Sequence, residues 1–491
     1  MVSQTWDDHD RSGRYTARDF GKNYLSSVDK NGIIYVNGDN DTFPLWYAQE
    51  VEGYRTDVKV VNMSYLTTDW YASQIQHPSY DAPAIDMYAQ PKDYLNDKLQ
   101  YSYIVPQVRM SSAKDALLHR YSDASYMPEY GINAINTAAV YIPVNADEVI
   151  EAGVVPESQR ELIVDSLVID IHRYAQGHGE PGLTLNKILT LDMIAKSAEN
   201  KWNRPIYFAV TVPNSYHLGL TPYLQQTGMA YQVTPARTGV NGNHGINTEK
   251  MYDIVMNKYR WGGLDQGKDL YLDETVRRMT STTRSTMIDL AHELYYQGIA
   301  ARDAEDAGDI AKENFDKARK VLNLMEEKLP TSVMPYENYA STEIADLYIL
   351  LYEATGNEDD KARALALADD GLNRYAKFIP YLMSLRDWQL KSIAYSEKYV
   401  SNIAFPQFMT LYQQAGGNID KKLEELGVTI NDILGLRYRL YQVDYPNMSA
   451  RNFVEPMAEY YGMLQYKPSE VEKYLAEFFA DKGINLSVEQ R

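Results

Sequence analysis

The alternation of apolar and polar positions is sharpest between Gly32 and Trp70. Gly32 to Asn37 is a short apolar, β-branched run set between Asn31 and the polar Gly38-Asp39-Asn40-Asp41, the pattern of a buried strand running into a turn. A helix is predicted next, with Asp41 or Thr42 as its cap, Pro44 in its first turn and Gly53 as its stop. Phe43, Trp46, Tyr47, Glu50 and Val51 recur along it at helical spacing as a mixed apolar face. Asp57 to Asn62 predicts a second buried strand. Strand, helix and strand within about 30 residues make a βαβ unit, whose crossover is right-handed and whose strands lie parallel in a covered sheet.

The same reading extends along the chain. Tyr15 to Ser26 predicts a helix with Phe20, Tyr24 and Leu25 on one side, placed to wall the end of the first strand. Over residues 81–142 the periodicity weakens amid Tyr, Pro and Ser, which predicts a long irregular excursion or a subdomain laid over the sheet. Ser166 to His172 and Leu183 to Leu189 read as the arms of a hairpin around a glycine-rich loop. Leu191 to Trp202 predicts a helix, Pro205 to Val212 a third strong strand, and Met229 to Val233 an edge strand. Residues 237–247, RTGVNGNHGIN, predict a mobile loop.

Beyond Thr283 helical periodicity takes over. Ala311, Phe315 and Ala318 keep the spacing of a second tetratricopeptide (TPR) helix, with Tyr295 and Gly298 on the helix before it; Tyr348, Leu351, Ala364, Ala368 and Gly371 repeat the theme. The expected fold class is an α/β N-terminal domain with a partly parallel, Rossmann-like sheet over residues 1–282, followed by an all-α, TPR-like domain of helical hairpins over 283–491.

Composition narrows the partners. A chain of 491 residues with 45% hydrophobic positions can bury two cores, and its net charge of -19 argues against nucleic acid or an anionic membrane surface as partner. No window reaches the roughly 18 apolar residues of a membrane span, and MVSQTWDDHDRSGRY lacks the regions of a signal peptide, so the chain is expected to be soluble. With no cysteine there is no disulfide or thiolate chemistry. The 42 tyrosines against 10 phenylalanines suit wet interfaces and sugar faces, with half-buried tyrosines in sheets and helix pairs the favoured reading.

Candidate chemistry follows from topology, because ligands of open α/β sheets settle beyond the carboxyl ends of the strands. Asp39, Asn40 and Asp41 leave the first strand there, and Ser64, Thr67, Thr68, Asp69 and Trp70 the second. Asp8, His9, Asp10 and Arg14, just before the first helix, complete the candidate crevice. Asp39-x-Asp41 matches the acidic pair with which many nucleotide-sugar glycosyltransferases hold a divalent metal; the competing reading is a turn whose side chains cap the helix, favoured for at least one of the two. No cofactor is expected, a divalent ion on Asp39 and Asp41 being the alternative. An EF-hand starting at Asp39 is excluded by Phe43 and Pro44, and His172 and His178 lack zinc-protease spacing. GxGxxG, Walker and GxSxG motifs are absent.

WDDHDRSGRYTARDF, NGDNDTFPLWYAQEVEGYRTDVKVVN with SYLTTDWY, NRPIYFAV, MYDIVMNKYRWGG and YLDETVRRM resemble the C-terminal soluble region of a bacterial family of multi-spanning membrane proteins. The membrane half of that family resembles the protein O-mannosyltransferases. The resemblance implies an excised portion on the extracytoplasmic, periplasmic side, a glycosylation context, and as partners a polypeptide or glycan acceptor and the membrane-embedded part. The residues that catalyse transfer in such enzymes lie on membrane helices, so no catalytic residue carries over. The leading reading is a binding or assembly module that is not catalytic alone; the alternatives are a soluble, metal-assisted enzyme in the acidic crevice and a structural scaffold.

Overall fold

The computed structural model describes residues 13–129, 131–175, 181–239, 241–266, 270–304, 308–336, 338–393, 404–447 and 468–481. The chain divides into two compact units, Met1–Glu293 with Asn323–Met334, and Leu294–Leu322 with Pro335–Arg491. The first is α/β and the second helical.

In the first unit, helix α1 (Thr16–Ser26) leads into β1 (Ile33–Val36), α2 (Asp39–Glu50) and β2 (Lys59–Asn62). β1 and β2 pair parallel with Ile33 opposite Lys59, as the βαβ pattern predicts. Every residue of both strands is buried, the condition of parallel strands covered on both faces. α2 begins earlier than its polar residues suggest. Gly38, with φ of 80°, turns the chain directly out of the strand, so Asp39 and Asp41 occupy the first helical turn, where the dipole favours them, and Pro44 falls in the helix interior. The Thr42 hydroxyl donates to the Gly38 carbonyl at 2.7 Å.

β2 is the sheet's outer strand. The N–H groups of Lys59 and Met63 donate to Gly32 and Val36, so by parallel alternation Val58, Val60 and Asn62 turn their backbone groups outwards. Side chains cover this edge: Gln49 Nε2 donates to the Val58 carbonyl at 2.8 Å, and the Tyr71 hydroxyl, on α3 (Asp69–Ile75), accepts the Asn62 N–H at 3.0 Å.

The stretch expected to be irregular instead holds the two longest strands. β3 (Tyr101–Ser112) and β5 (Ile132–Pro143) run parallel, joined through α4 (Ala113–Tyr121) and β4 (Tyr126–Met127), and α5 (Ala146–Glu151) follows β5. Five of the twelve residues of β3 are exposed in one run and Pro106 interrupts it, which erases the alternation that would announce it. β6 (Ser166–Ile169) and β7 (Gly182–Thr184) do not form the expected hairpin; they pair antiparallel with β5 and β3. The Leu183–Leu189 run is mostly helix, because α6 (Leu185–Glu199) buries 12 of its 15 residues, and a helix buried nearly all round carries a continuous apolar run like that of a buried strand.

The main sheet continues from β1 to β8 (Ile206–Ala209), in order β11-β9-β10-β8-β1-β2. β9 (Leu224–Gln226) and β10 (Ala230–Val233) form an antiparallel pair that puts β10 inside the sheet, not at its edge. β11 (Gly245–Ile246) lies within the segment expected to be a loop, pairs parallel with β9, and precedes α7 (Thr248–Asn257).

α8 (Glu274–Arg302) and α9 (Gly308–Lys328) carry the chain between the units, and α10 (Asn338–Thr355) and α11 (Glu358–Tyr375) pack together in the second. Small residues permit close approach at two other helix pairs: a Cβ on Gly298 of α8 would lie 2.5 Å from the Phe315 ring of α9, and one on Gly371 of α11 2.6 Å from that of Phe408 on the helix Phe405–Gln414. Shorter helices continue from Phe378–Ser384 to Pro468–Ala480.

Candidate functional site

The carboxyl ends of β1, β2 and β8 open on one side of the parallel sheet, and a buried polar network closes the floor there. Asn62, the last residue of β2, donates from Nδ2 to the Thr42 hydroxyl at 2.8 Å and accepts the N–H groups of Ser64 and Tyr65 at 2.8 and 2.9 Å. Ser64 Oγ donates to Asn37 Oδ1 at 3.3 Å, linking the two strand ends. The Asp41 carboxylate, only 6% exposed, accepts the hydroxyl of Thr211, just beyond β8, and Thr211 Oγ1 lies 3.2 Å from the Tyr24 hydroxyl of α1. α1 thus meets α2 and the end of β8 through Tyr24, Asp41 and Thr211.

Asp39 and Asn40 are exposed. The two carboxylates of Asp39-x-Asp41 therefore face different surroundings, one in water and one in a hydrogen-bonded interior. Burial pushes the Asp41 carboxyl up to about 6, against the lowering effect of its bond to Thr211. Tyr24 is pushed well above its ordinary value by burial and by the nearby Asp41 charge.

Of the residues singled out in the sequence, Asp39, Asn40, Asp41, Ser64, Asp69 and Trp70 come to the strand ends. Asp69 accepts the Asn96 N–H at 3.1 Å. Arg14 is held by Asp273, to which its Nη1 donates at 2.8 Å. Asp8, His9 and Asp10 lie outside the described residues, as does His178, and His172 is exposed. Thr211 was not foreseen, and Thr42 and Asn62 were expected only as a helix cap and a strand end; the available signal was that Thr211 directly follows a strong strand in a parallel sheet.

A second feature of the site concerns the mixed apolar face of α2, whose orientation the spacing leaves open. The apolar stripe of α2 is turned to solvent: Phe43 is 48% exposed, Tyr47 46% and Val51 66%, while Asp41, Thr42, Pro44, Leu45, Ala48 and Gln49 are buried. The reason is the close approach of α1, where a Cβ on Gly21 would lie 2.3 Å from the Pro44 carbonyl oxygen, a gap too tight for large rings. The exposed rings continue beyond the helix. Phe43 and Trp46 are 5.9 Å apart between centroids, Trp46 and Tyr65 6.1 Å, and Tyr65 and Trp70 6.3 Å; Trp70 is 56% exposed.

Beside this row runs a groove of about 420 Å³ over the β2 edge, lined in part by Trp46, Glu50, Tyr71, Gln74, His77 and Tyr80. Lys59 closes one end, donating to the His77 carbonyl and to Ser79 Oγ at 2.7 and 2.9 Å, and burial pushes its ammonium down to about 8. Three carboxylates border the rings. Asp39 shares a helix face with Phe43, Glu50 shares one with Trp46, and Asp69 adjoins Trp70. Glu50 accepts the Tyr80 hydroxyl, and among the described residues no Lys or Arg neutralises any of the three.

The elevated Asp41 carboxyl makes a test of this geometry. Its folded value lies above its unfolded one, so its contribution to stability is fully present below about pH 4 and is lost as pH rises through about 6. Asp41→Asn keeps an acceptor for Thr211 without the charge. The variant is expected to match wild type near pH 4 and to exceed it by on the order of 2 kcal/mol at pH 7.5 in urea unfolding. The opposing contribution of His217, which burial pushes down to about 4, is common to both proteins and cancels in the difference. A pH-independent difference would contradict the assignment.

Among the described residues, no group of three or more His, Cys, Asp or Glu side chains is placed to hold one metal ion, and no helix is long and apolar enough to cross a membrane. None of the curated proteins and none of the solved structures matches the chain. Residues 17–250, from α1 into α7 and including both sheets, match the family model described as TMEM260-associated domain 2.

Proposed function

We propose that this chain is the extracytoplasmic, acceptor-binding part of a glycosyltransferase-like membrane protein of the TMEM260 type, engaging an extended polypeptide and not catalytic by itself. The observation that carries the reading is the solvent-facing row Phe43, Trp46, Tyr65 and Trp70, with carboxylates that no Lys or Arg neutralises among the described residues. A contiguous exposed apolar patch with a polar rim marks a binding surface. Aromatic faces beside carboxylates that carry no paired cation among the described residues suit cationic side chains, which gain both a counter-charge and a ring quadrupole. The helical hairpins of the second unit, TPR-like in the spacing of their small residues, offer a surface for assembly with the membrane-embedded part. Binding of this kind needs no cofactor.

Fluorescence anisotropy with labelled extended peptides tests the reading. A Lys/Arg-containing peptide is expected to bind wild type, and Trp70→Ala or Phe43→Ala to weaken it about tenfold, the equivalent of ~1.4 kcal/mol. Unchanged affinity in both variants, or equal binding of an acidic peptide, would overturn it. The purified chain is also expected to transfer no sugar from lipid-linked donors, and turnover without a membrane would contradict that.

A second reading, an enzyme using Asp41 as an acid-base group, draws on its elevated pKa. The same carboxylate is buried and bonded to Thr211, which ranks this reading behind the first.

A further inference from the structure

The first unit contains two parallel strand pairs, and the second pair has its own crevice. β3 and β5 end side by side, with Ser112 opposite Tyr141. Beyond their carboxyl ends lies a cleft of about 360 Å³, walled by the start of α4 (Ala113, Lys114), by Tyr141 to Asn145, by Glu148 of α5, by Ala195, Ala198 and Glu199 of α6, and by Tyr88. This is the position at which α/β sheets bind ligands, and the volume is that of a small-molecule site.

The charges around the cleft cancel. Glu199 pairs with both Lys114 and Lys196, Lys196 also lies 3.7 Å from Asp86, and Lys201 is 3.4 Å from Glu148. The two lysines hold the Glu199 carboxyl down at about 2, so it stays anionic. An anionic ligand would meet Glu148 and Glu199, and a cationic one Lys114, without a free counter-charge. A neutral ligand meets neither penalty.

Hydrogen-bonding groups of both kinds remain. Asn145 spends its Oδ1 on the N–H groups of Asp147 and Glu148 at the start of α5, which leaves its Nδ2 as a donor. Glu148 and Glu199, which also line the cleft, are acceptors. Tyr88 contributes an aromatic ring, with Lys196 Nζ 4.8 Å and Lys114 Nζ 5.7 Å from its centroid. Donors, acceptors and a ring face around a charge-balanced volume are complementary to a compact polyol that has hydroxyls on its rim and C–H groups on its faces.

We infer that this cleft binds a neutral hexopyranose between the ends of β3 and β5 and the tyrosine wall, at a site separate from the aromatic row. The inference does not rest on the peptide-binding reading, and neither result decides the other.

Titration of the full chain by isothermal calorimetry and amide NMR tests it, with D-glucose and D-mannose as neutral probes, glucuronate and inorganic phosphate as anionic ones and glucosamine as the cationic one. A neutral hexose is expected to bind and to shift the amides of residues 112–114 and 141–148. Ala198→Trp, which fills the cleft, is expected to abolish binding. Asn145→Asp keeps the oxygen that caps α5 but replaces the donor with a charge, and is expected to weaken binding at least about tenfold with little change in melting temperature. Absence of binding by either hexose, tighter binding of glucuronate, phosphate or glucosamine, or hexose affinity unchanged in a folded Asn145→Asp protein would each overturn the inference.

Discussion

Gly21→Ala is expected to destabilise the protein by about 3 kcal/mol, the upper end of the usual cost of overpacking. In an exposed helix the same change would stabilise by close to 1 kcal/mol, so the sign separates packing from helix propensity. Gly21 faces backbone: its added Cβ would stand 2.3 Å from the Pro44 oxygen, 2.5 Å from the Pro44 carbonyl carbon and 3.0 Å from the Leu45 nitrogen. No rotamer change relieves such a contact, so α1 and α2 must separate. Because Tyr24 on α1 and Asp41 on α2 meet at Thr211, the separation also loosens the floor of the crevice. Urea unfolding measures the first effect. The second is read from the Asp41 carboxyl by NMR, whose midpoint falls from about 6 towards the ordinary range as water enters.

Asp192→Ala has a comparable effect for a different reason. The Asp192 carboxylate is fully buried on α6, accepts the N–H groups of Tyr88 and Ala89 at 2.8 and 2.9 Å, and accepts the Tyr121 hydroxyl at 2.7 Å. Removing it strands two backbone donors and a phenol in the interior, each worth about 1–3 kcal/mol when unsatisfied, so a total loss of roughly 3–5 kcal/mol is expected. Asp192→Asn restores one acceptor but turns an NH2 group towards the remaining donors, and its loss should be intermediate. Burial pushes the Asp192 carboxyl up to about 6 against those hydrogen bonds. Its own contribution therefore declines as pH rises through about 6, and the Asp192→Ala deficit should be larger at pH 5 than at pH 7.5. A deficit under 1 kcal/mol at both pH values would contradict this account of how Tyr88 is held.

The βαβ unit was legible in the sequence because two short β-branched runs, each bounded by polar turn residues, flank one stretch with helical period. Its outward face was not. The spacing of Phe43, Trp46 and Tyr47 reveals a stripe, but whether a stripe faces core or solvent depends on what approaches the other side. Here that is Gly21 against Pro44, two residues whose small size and fixed geometry leave no periodic trace. The second sheet escaped for a related reason: β3 carries a run of five exposed residues and its partners come from distant segments, so neither alternation nor a short turn marks it. Asp41 and Asp39 were legible as a pair, but not their separation into one buried and one exposed carboxylate, which depends on Thr211 arriving from β8 some 170 residues later.

The central claim is that the row from Phe43 to Trp70 is where a polypeptide docks. Six tryptophans make it directly observable. In a protein carrying labelled indoles, titration with a Lys/Arg-containing extended peptide is predicted to shift the Trp46 and Trp70 signals together, at one affinity. Trp202, 4% exposed, and Trp388, 65% exposed in the helical unit, should stay in place, the latter as the control for binding to any open ring. Movement of Trp388 to the same extent, or stationary Trp46 and Trp70 signals while the peptide binds, would contradict the account.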